Sequence, residues 1–342
     1  MKVARLHGVH DLRLHDEPDP QAAPGQAVLR VTSVGVCGSD LHWFAESGIG
    51  DARLARPLVL GHEFAGVALT GKYAGQRVAV DPAIPCGECE FCVEGNPNFC
   101  THLHFAGHGA DDGAMRECIS WPEHLLFPLP DAISDADGAM LEPLGVAIHA
   151  VDLGHLRPGM SAAVFGSGPI GLLTLQMARL AGGLDLFATD VLPHRMDAAQ
   201  KYGATTVLKA DGTEAAQVLA ATGKRGVDVS FECAGENDAV KAAVAATKPG
   251  GTVVLVGIPS DDRTSFTASV ARRKGLTIRM SRRMKHTYPR AIRLVERGLV
   301  DVRSMVTHTF PLAESVQGFD TALRREGLKV IIAPQVYKER RC

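Results

Sequence analysis

The chain has 342 residues, of which 46% are hydrophobic and 22% charged, and a formal net charge of −2. That length and apolar content support two domains with cores of their own, and the near-neutral balance excludes a global basic field of the kind that recruits nucleic acid or anionic membrane. No basic segment followed by an apolar stretch opens the chain, and no apolar run reaches the roughly 18 residues needed to span a bilayer, so a cytoplasmic protein without a membrane partner is expected.

The N-terminal residues Met1–Val9 read as the start of a strand. Strand-like runs at Ala27–Val34, Phe64–Ala68 and Arg77–Val80 are broken by Gly, Pro and Asp, the texture of a small, irregular β-rich domain. Two polar segments border these runs, Cys37-Gly38-Ser39-Asp40-Leu41-His42 and Gly61-His62-Glu63. Next comes Cys86-x2-Cys89-x2-Cys92-x7-Cys100, four of the eight cysteines on one short loop. A disulfide framework belongs to small secreted chains, so this spacing points to metal ligation. Four thiolates can close a tetrahedron on Zn²⁺, giving a site of net charge about −2 with no open position. Such a site is a poor Lewis acid. Its work is to fold a lobe (84–101) too polar to pack alone, with Glu88, Glu90, Glu94, Asn96 and Asn98. An iron–sulfur cluster is the competing occupant. Cys118, Cys233 and Cys342 show no ligand spacing and read as ordinary buried or terminal thiols.

After Leu141-Glu142-Pro143-Leu144 the texture changes, from about Leu156, to β–α alternation. Apolar runs at Ser161–Phe165, Asp185–Thr189, Thr206–Leu208, Val227–Phe231, Thr252–Val256 and Leu276–Met280 are separated by helical stretches. These are Ile170–Ala181, Arg195–Tyr202, Glu214–Thr222 and Asp238–Thr247. Strands joined by crossover helices predict an α/β fold with a doubly wound, six-stranded parallel sheet. A further helix, Tyr288–Arg297, and mixed pieces follow, which suggests that the first domain is discontinuous.

Gly166-Ser167-Gly168-Pro169-Ile170-Gly171 places G-x-G-x-x-G between a strand and a helix. Gly166 permits the tight turn, Gly168 the approach of a pyrophosphate, and Gly171 the packing of helix on strand. Pro169 and Ile170 open the helix whose N–H groups face the anion. Asp190 ends the next strand about 20 residues on, where a carboxylate accepts both ribose hydroxyls and repels a 2′-phosphate. This favours NAD over NADP. The bland alternative is that Asp190 only caps the following turn. Arg195 flanks the adenine side or softens the preference toward NADP. Val256, Gly257 and Ile258, ending the fifth run, complete the expected cofactor set.

Taken together, these segments resemble the zinc-containing medium-chain dehydrogenase/reductase family, and within it the sorbitol dehydrogenase-like polyol branch. The resemblance rests on Cys37–His42, Gly61–Glu63, the cysteine lobe, Leu141–Ala150, the glycine motif and Arg282–Pro289, and it covers essentially the whole chain. It implies a GroES-like catalytic domain at 1–150 and 284–342 and a Rossmann NAD-binding domain at 151–283. It also implies two Zn²⁺ per subunit, one structural and one catalytic. The catalytic zinc would be held by Cys37, His62 and either Glu63 or Glu142, the other carboxylate holding a zinc-bound water. One thiolate and one carboxylate neutralise Zn²⁺ and leave it open and electrophilic. An alcohol oxygen bound there ionises near neutral pH and expels hydride to NAD. By the same resemblance Ser39 and His42 carry the proton away, Asp40 orients a metal ligand, and Arg283 reaches a substrate hydroxyl. Trp43 and Met284 stand where this branch has tyrosine, which makes the substrate pocket more apolar. A polyol, cyclitol or sugar acid oxidised to a ketone is expected, and a homodimer or homotetramer formed through the sheet edge near Leu276–Met280. Two rivals remain, an NAD-dependent threonine or aldose dehydrogenase of the same family, and a non-catalytic NAD- and zinc-binding protein.

Overall fold

The computed structural model describes residues 1–334. Contacts divide the chain into Met1–Glu142 together with the chain from Tyr288 on, and Pro143–Thr287. The sequence reading placed the divisions at 150/151 and 283/284.

The first unit is built on a seven-stranded sheet. In spatial order its strands are Leu126–Pro128, Arg77–Val80, Glu63–Ala68, Gln26–Gly35, Lys329–Ala333 and Val306–Pro311, with Cys118–Pro122 also paired to Gln26–Gly35. In Gln26–Gly35, Leu29 and Val31 alternate onto a core completed by Phe44, Leu58, Phe64 and Phe319, and Val34 joins them beyond a register irregularity between Val31 and Ser33. Bulky, dry side chains on several strands fix the register, because a one-residue slip would expose them all. Cys118, read as an ordinary thiol, is instead disulfide-bonded. Cys233 is a free thiol, and Cys342 lies outside the described residues.

The second unit carries the expected parallel sheet. Its order is Thr206–Lys209, Leu186–Asp190, Ala162–Phe165, Val227–Glu232, Thr247–Leu255 and Thr277–Met280, with every neighbouring pair parallel. The first strand therefore lies in the middle and the chain winds outward both ways, which puts the glycine loop at the carboxyl end where the strand order reverses. The helix Leu141–Gly154 was not anticipated as a helix. Pro143 argues against one in an interior, yet it stands in the first turn, where no intrahelical N–H bond is due. Among the described residues no helix is long and apolar enough to cross a membrane.

At the opposite end of this sheet, Asp228 ties two strands together. Its carboxylate accepts from the Ser161 N–H and hydroxyl at 2.9 Å each and pairs with Arg225 at 2.7 Å and Lys248 at 2.6 Å. Burial pushes its pKa up, but these partners outweigh it and hold the carboxyl well below the usual range. A depressed folded-state pKa contributes stability above the unfolded value and loses it as pH falls through the folded one. Asp228→Asn should therefore cost about 1–3 kcal/mol at neutral pH. The gap to wild type in urea titrations should close as pH drops below about 4.

Candidate active site

Cys37 precedes the helix Gly38–Glu46, and Asp40 in its first turn organises what surrounds it. One Asp40 oxygen accepts the Cys37 N–H at 3.0 Å. The other accepts the Gly61 N–H at 3.2 Å and lies 3.4 Å from Nδ1 of His62. Asp40 is fully buried, so these bonds are made away from competing water. They join the helix start to the loop before the strand Glu63–Ala68. Gly61 has φ +94°, and a methyl group there would stand 2.6 Å from Val34 Cγ1, so both conformation and space require glycine.

The result is that donor atoms of Cys37, His62 and Glu63 all lie within 4.8 Å of one another. His62 and Glu63 are buried, and Glu63 is paired with Lys329, a residue that the sequence reading passed over. Glu142, at the start of the helix Leu141–Gly154, is buried and within electrostatic reach of His62, Glu63, Lys329 and Asp81 without joining the convergent group. Burial and the neighbouring Glu63 and Asp81 push its carboxyl up to about 8, against the pull of His62 and Lys329. Burial lowers the pKa of His62, but Asp40 and Cys37 outweigh it and raise the ring well above its ordinary value. The two shifts differ in origin: burial dominates at Glu142, and the acidic neighbours Asp40 and Cys37 dominate at His62.

Ser39 and His42 follow Cys37 on the same helix. His42 Nδ1 is 3.3 Å from the Glu46 carboxylate one turn on. Trp43 is buried in the apolar core of the first unit, edge-on to His108 at 5.5 Å between ring centres. Asp112 is held by Arg5, and His104 by Asp111 at 3.0 Å. Arg283 lies in the second unit with φ +56°, an uncommon conformation for a long side chain. Met284 is buried there against Gly145, where a methyl group would stand 2.5 Å from its sulfur.

The second cluster is the cysteine lobe. Cys86, Cys89, Cys92 and Cys100 converge within 4.8 Å and are free of disulfides. Sγ separations of 3.5 Å for Cys89–Cys92 and Cys86–Cys100 approach the ~3.8 Å edge of a tetrahedron with Zn–S bonds of about 2.3 Å. Main-chain N–H groups of Cys86 and Cys89 donate to the sulfurs of Cys100 and Cys86, at 3.3 and 3.4 Å. This enclosure suits one ion rather than a multi-iron cluster, whose cysteines sit on different irons.

In the second unit Gly166 (φ +95°) turns the chain from Ala162–Phe165 into the helix Pro169–Leu180. A methyl group at Gly171 would collide with the Gly166 carbonyl oxygen, whereas one at Gly168 meets only Arg195, at 3.5 Å. Gly168 is therefore the open face of the loop, and Arg195 reaches it. Asp190 accepts from the N–H of Ser167 at 2.8 Å and of Leu192 at 2.9 Å, so it both anchors the glycine loop and caps its own turn. Glu232 is a second residue that the sequence reading passed over. Its side chain accepts from Ala234 and Gly235 at 2.7 Å, and its carbonyl from Val256 and Gly257 at 2.8 and 3.1 Å. It thus joins the loops after two adjacent strands, where a methyl group on Gly257 would strike Gly235. Ile258 is exposed. Gly171→Ala should force helix from strand and weaken NAD binding by about 10-fold or more, ~1.4 kcal/mol, as read by fluorescence titration.

Two family models match, the alcohol dehydrogenase GroES-like domain over residues 23–131 and the zinc-binding dehydrogenase over 169–297. The sorbitol dehydrogenase of Bacillus subtilis (strain 168) is 34% identical over 343 residues, covering 98% of this chain and 97% of that protein. The structure of 2R,3R-butanediol dehydrogenase from Bacillus subtilis superposes with a TM-score of 0.87 at 29% identity, covering 98% of this chain and 99% of that one. An alcohol dehydrogenase from Escherichia coli CFT073 in complex with NADH gives a TM-score of 0.90 at 26% identity, with the same coverage. The chain belongs to the zinc-containing medium-chain dehydrogenase/reductase family, in its polyol dehydrogenase-like branch.

Proposed function

We propose that this protein is an NAD-dependent zinc dehydrogenase that oxidises a secondary hydroxyl of a polyol, cyclitol or sugar acid to the ketone. The observation that carries this reading is the convergence of Cys37, His62 and Glu63, with His62 and Glu63 buried. A thiol, an imidazole and a carboxylate suit Zn²⁺ and leave a position for substrate.

Zinc held there supplies a Lewis acid that makes an alcohol hydroxyl acidic, and NAD on the glycine loop supplies the hydride acceptor. Asp40 fixes the His62 ring by its Nδ1 side, leaving Nε2 to bind the metal. Cys37 and Glu63 are the remaining ligands, and Glu142 orients the substrate or water oxygen. Ser39 and His42 carry the hydroxyl proton outward, and His42 Nδ1 lies 3.3 Å from the Glu46 carboxylate. The family resemblance assigns substrate selection to Trp43 in the first unit and Arg283 in the second. The four-cysteine lobe holds a structural zinc.

The unit that starts at Met1 is in this reading the catalytic domain, and Pro143–Thr287 is the NAD-binding domain. Cys37 and the four-cysteine lobe must stay reduced to hold metal, which favours a cytoplasmic setting although Cys118 is disulfide-bonded. The strand Thr277–Met280 ends the parallel sheet with Met280 67% exposed, an open edge that a second subunit can extend into a dimer or tetramer.

Cys37→Ala should lower the zinc content from two equivalents per chain to one and reduce NADH production on secondary alcohols by about 10³-fold or more, ~4 kcal/mol of barrier. Turnover that survives in this variant contradicts the assignment. Metal uptake should also displace protons that His62 and Glu142 hold at pH 7. Calorimetry in buffers of different ionisation enthalpy should then show about one proton fewer released by Glu142→Gln, a difference that fades above pH 8.

A further inference from the structure

Lys329 opens the strand Lys329–Ala333, which pairs with Gln26–Gly35 so that Ile331 lies opposite Gly35. On the other side of Gln26–Gly35, the partner of Gly35 is Glu63. The two charged side chains meet across this glycine, and Lys329 Nζ pairs with Glu63 Oε2, their side chains 2% and 1% exposed. A methyl group on Gly35 would collide with Glu63 Oε2 and stand 3.1 Å from Lys329 Cε. The missing side chain is thus the space that the pair occupies.

A buried ion pair seldom stabilises a fold better than apolar packing of the same volume, so its place beside Cys37 and His62 calls for a role at that centre. We infer that Lys329 is a positioning residue that occupies one oxygen of Glu63 and so confines this carboxylate to a single-oxygen donor at the Cys37–His62 metal centre. The inference rests on the reading of that centre as the catalytic zinc site. A carboxylate can bind a metal through one oxygen or two. A second oxygen raises the coordination number and closes the position that a substrate needs. A compact ammonium on Oε2 competes for that oxygen without offering a donor of its own. Burial opposes the charge on Lys329, but Glu63 and Cys37 sustain it.

The test uses full-length protein with Co²⁺ in place of zinc, and visible spectra taken as the difference from Cys37→Ser, so that the four-cysteine lobe cancels. Lys329→Met frees Oε2, and its visible bands should lose intensity relative to wild type as the coordination number rises. Lys329→Arg places a planar fork that can take both carboxylate oxygens, and it should surrender Co²⁺ to a chelator faster than wild type. The arginine variant alone keeps the test open if the methionine variant does not fold. Wild-type spectra and release rates in the variants that fold would overturn the inference, whatever happens to their thermal stability. A wild-type protein with no Cys37-dependent band would instead overturn the zinc-site reading beneath it.

Discussion

A fold that buries more acidic groups than basic ones must either protonate them or bind a cation. Asp40, Glu63 and Glu142 are all removed from water beside the Cys37 thiol, with Lys329 and His62 as their cationic neighbours. Protonation is the protein's own remedy, and the raised pKa values of Glu142 and His62 are that remedy in progress. A divalent ion does the same work while leaving the donors ionised. The rest of the first unit serves this arrangement. Gly35 and Gly61 make space, the sheet brings residues 63 and 329 to either side of one strand, and Asp40 ties the Cys37 helix to the His62 loop.

The two donor clusters show how ligand type separates structure from chemistry. Four sulfurs on one short loop enclose an ion completely, saturate its charge and leave nothing for a substrate. One sulfur, one imidazole and one carboxylate, drawn from a helix start and a loop–strand junction, would leave an ion short of donors. The second unit adds the other half of the reaction by the same economy of means. Gly166, Gly168 and Gly171 clear the backbone for a pyrophosphate, and Asp190 and Glu232 pin the surrounding loops through their N–H groups.

Features that depend on neighbours in sequence were legible before any coordinates. The cysteine lobe, the strand–glycine–helix motif and the six-stranded parallel sheet all followed from spacing and periodicity, and helix ends such as Pro169–Leu180 fell within a residue of expectation. What depends on long-range pairing was not. Lys329 reaches Glu63 only because strands far apart in the chain flank Gln26–Gly35, and an isolated lysine before an apolar run carries no signal of that. The helix Leu141–Gly154 was hidden by a proline whose cost vanishes in a first turn. Asp190 could be read as a ribose ligand or as a cap, and the capping and anchoring bonds it makes were invisible because its partners are backbone groups. That Glu63 rather than Glu142 falls within the Cys37–His62 donor group is likewise a matter of distance that spacing does not reveal.

The central claim is that a mixed-donor metal centre exists beside the all-sulfur one. X-ray absorption at the zinc edge of the purified protein tests it most directly. The account predicts a first shell in which sulfur at about 2.3 Å is joined by nitrogen and oxygen at about 2.0–2.1 Å. A shell fitted by sulfur alone would contradict it.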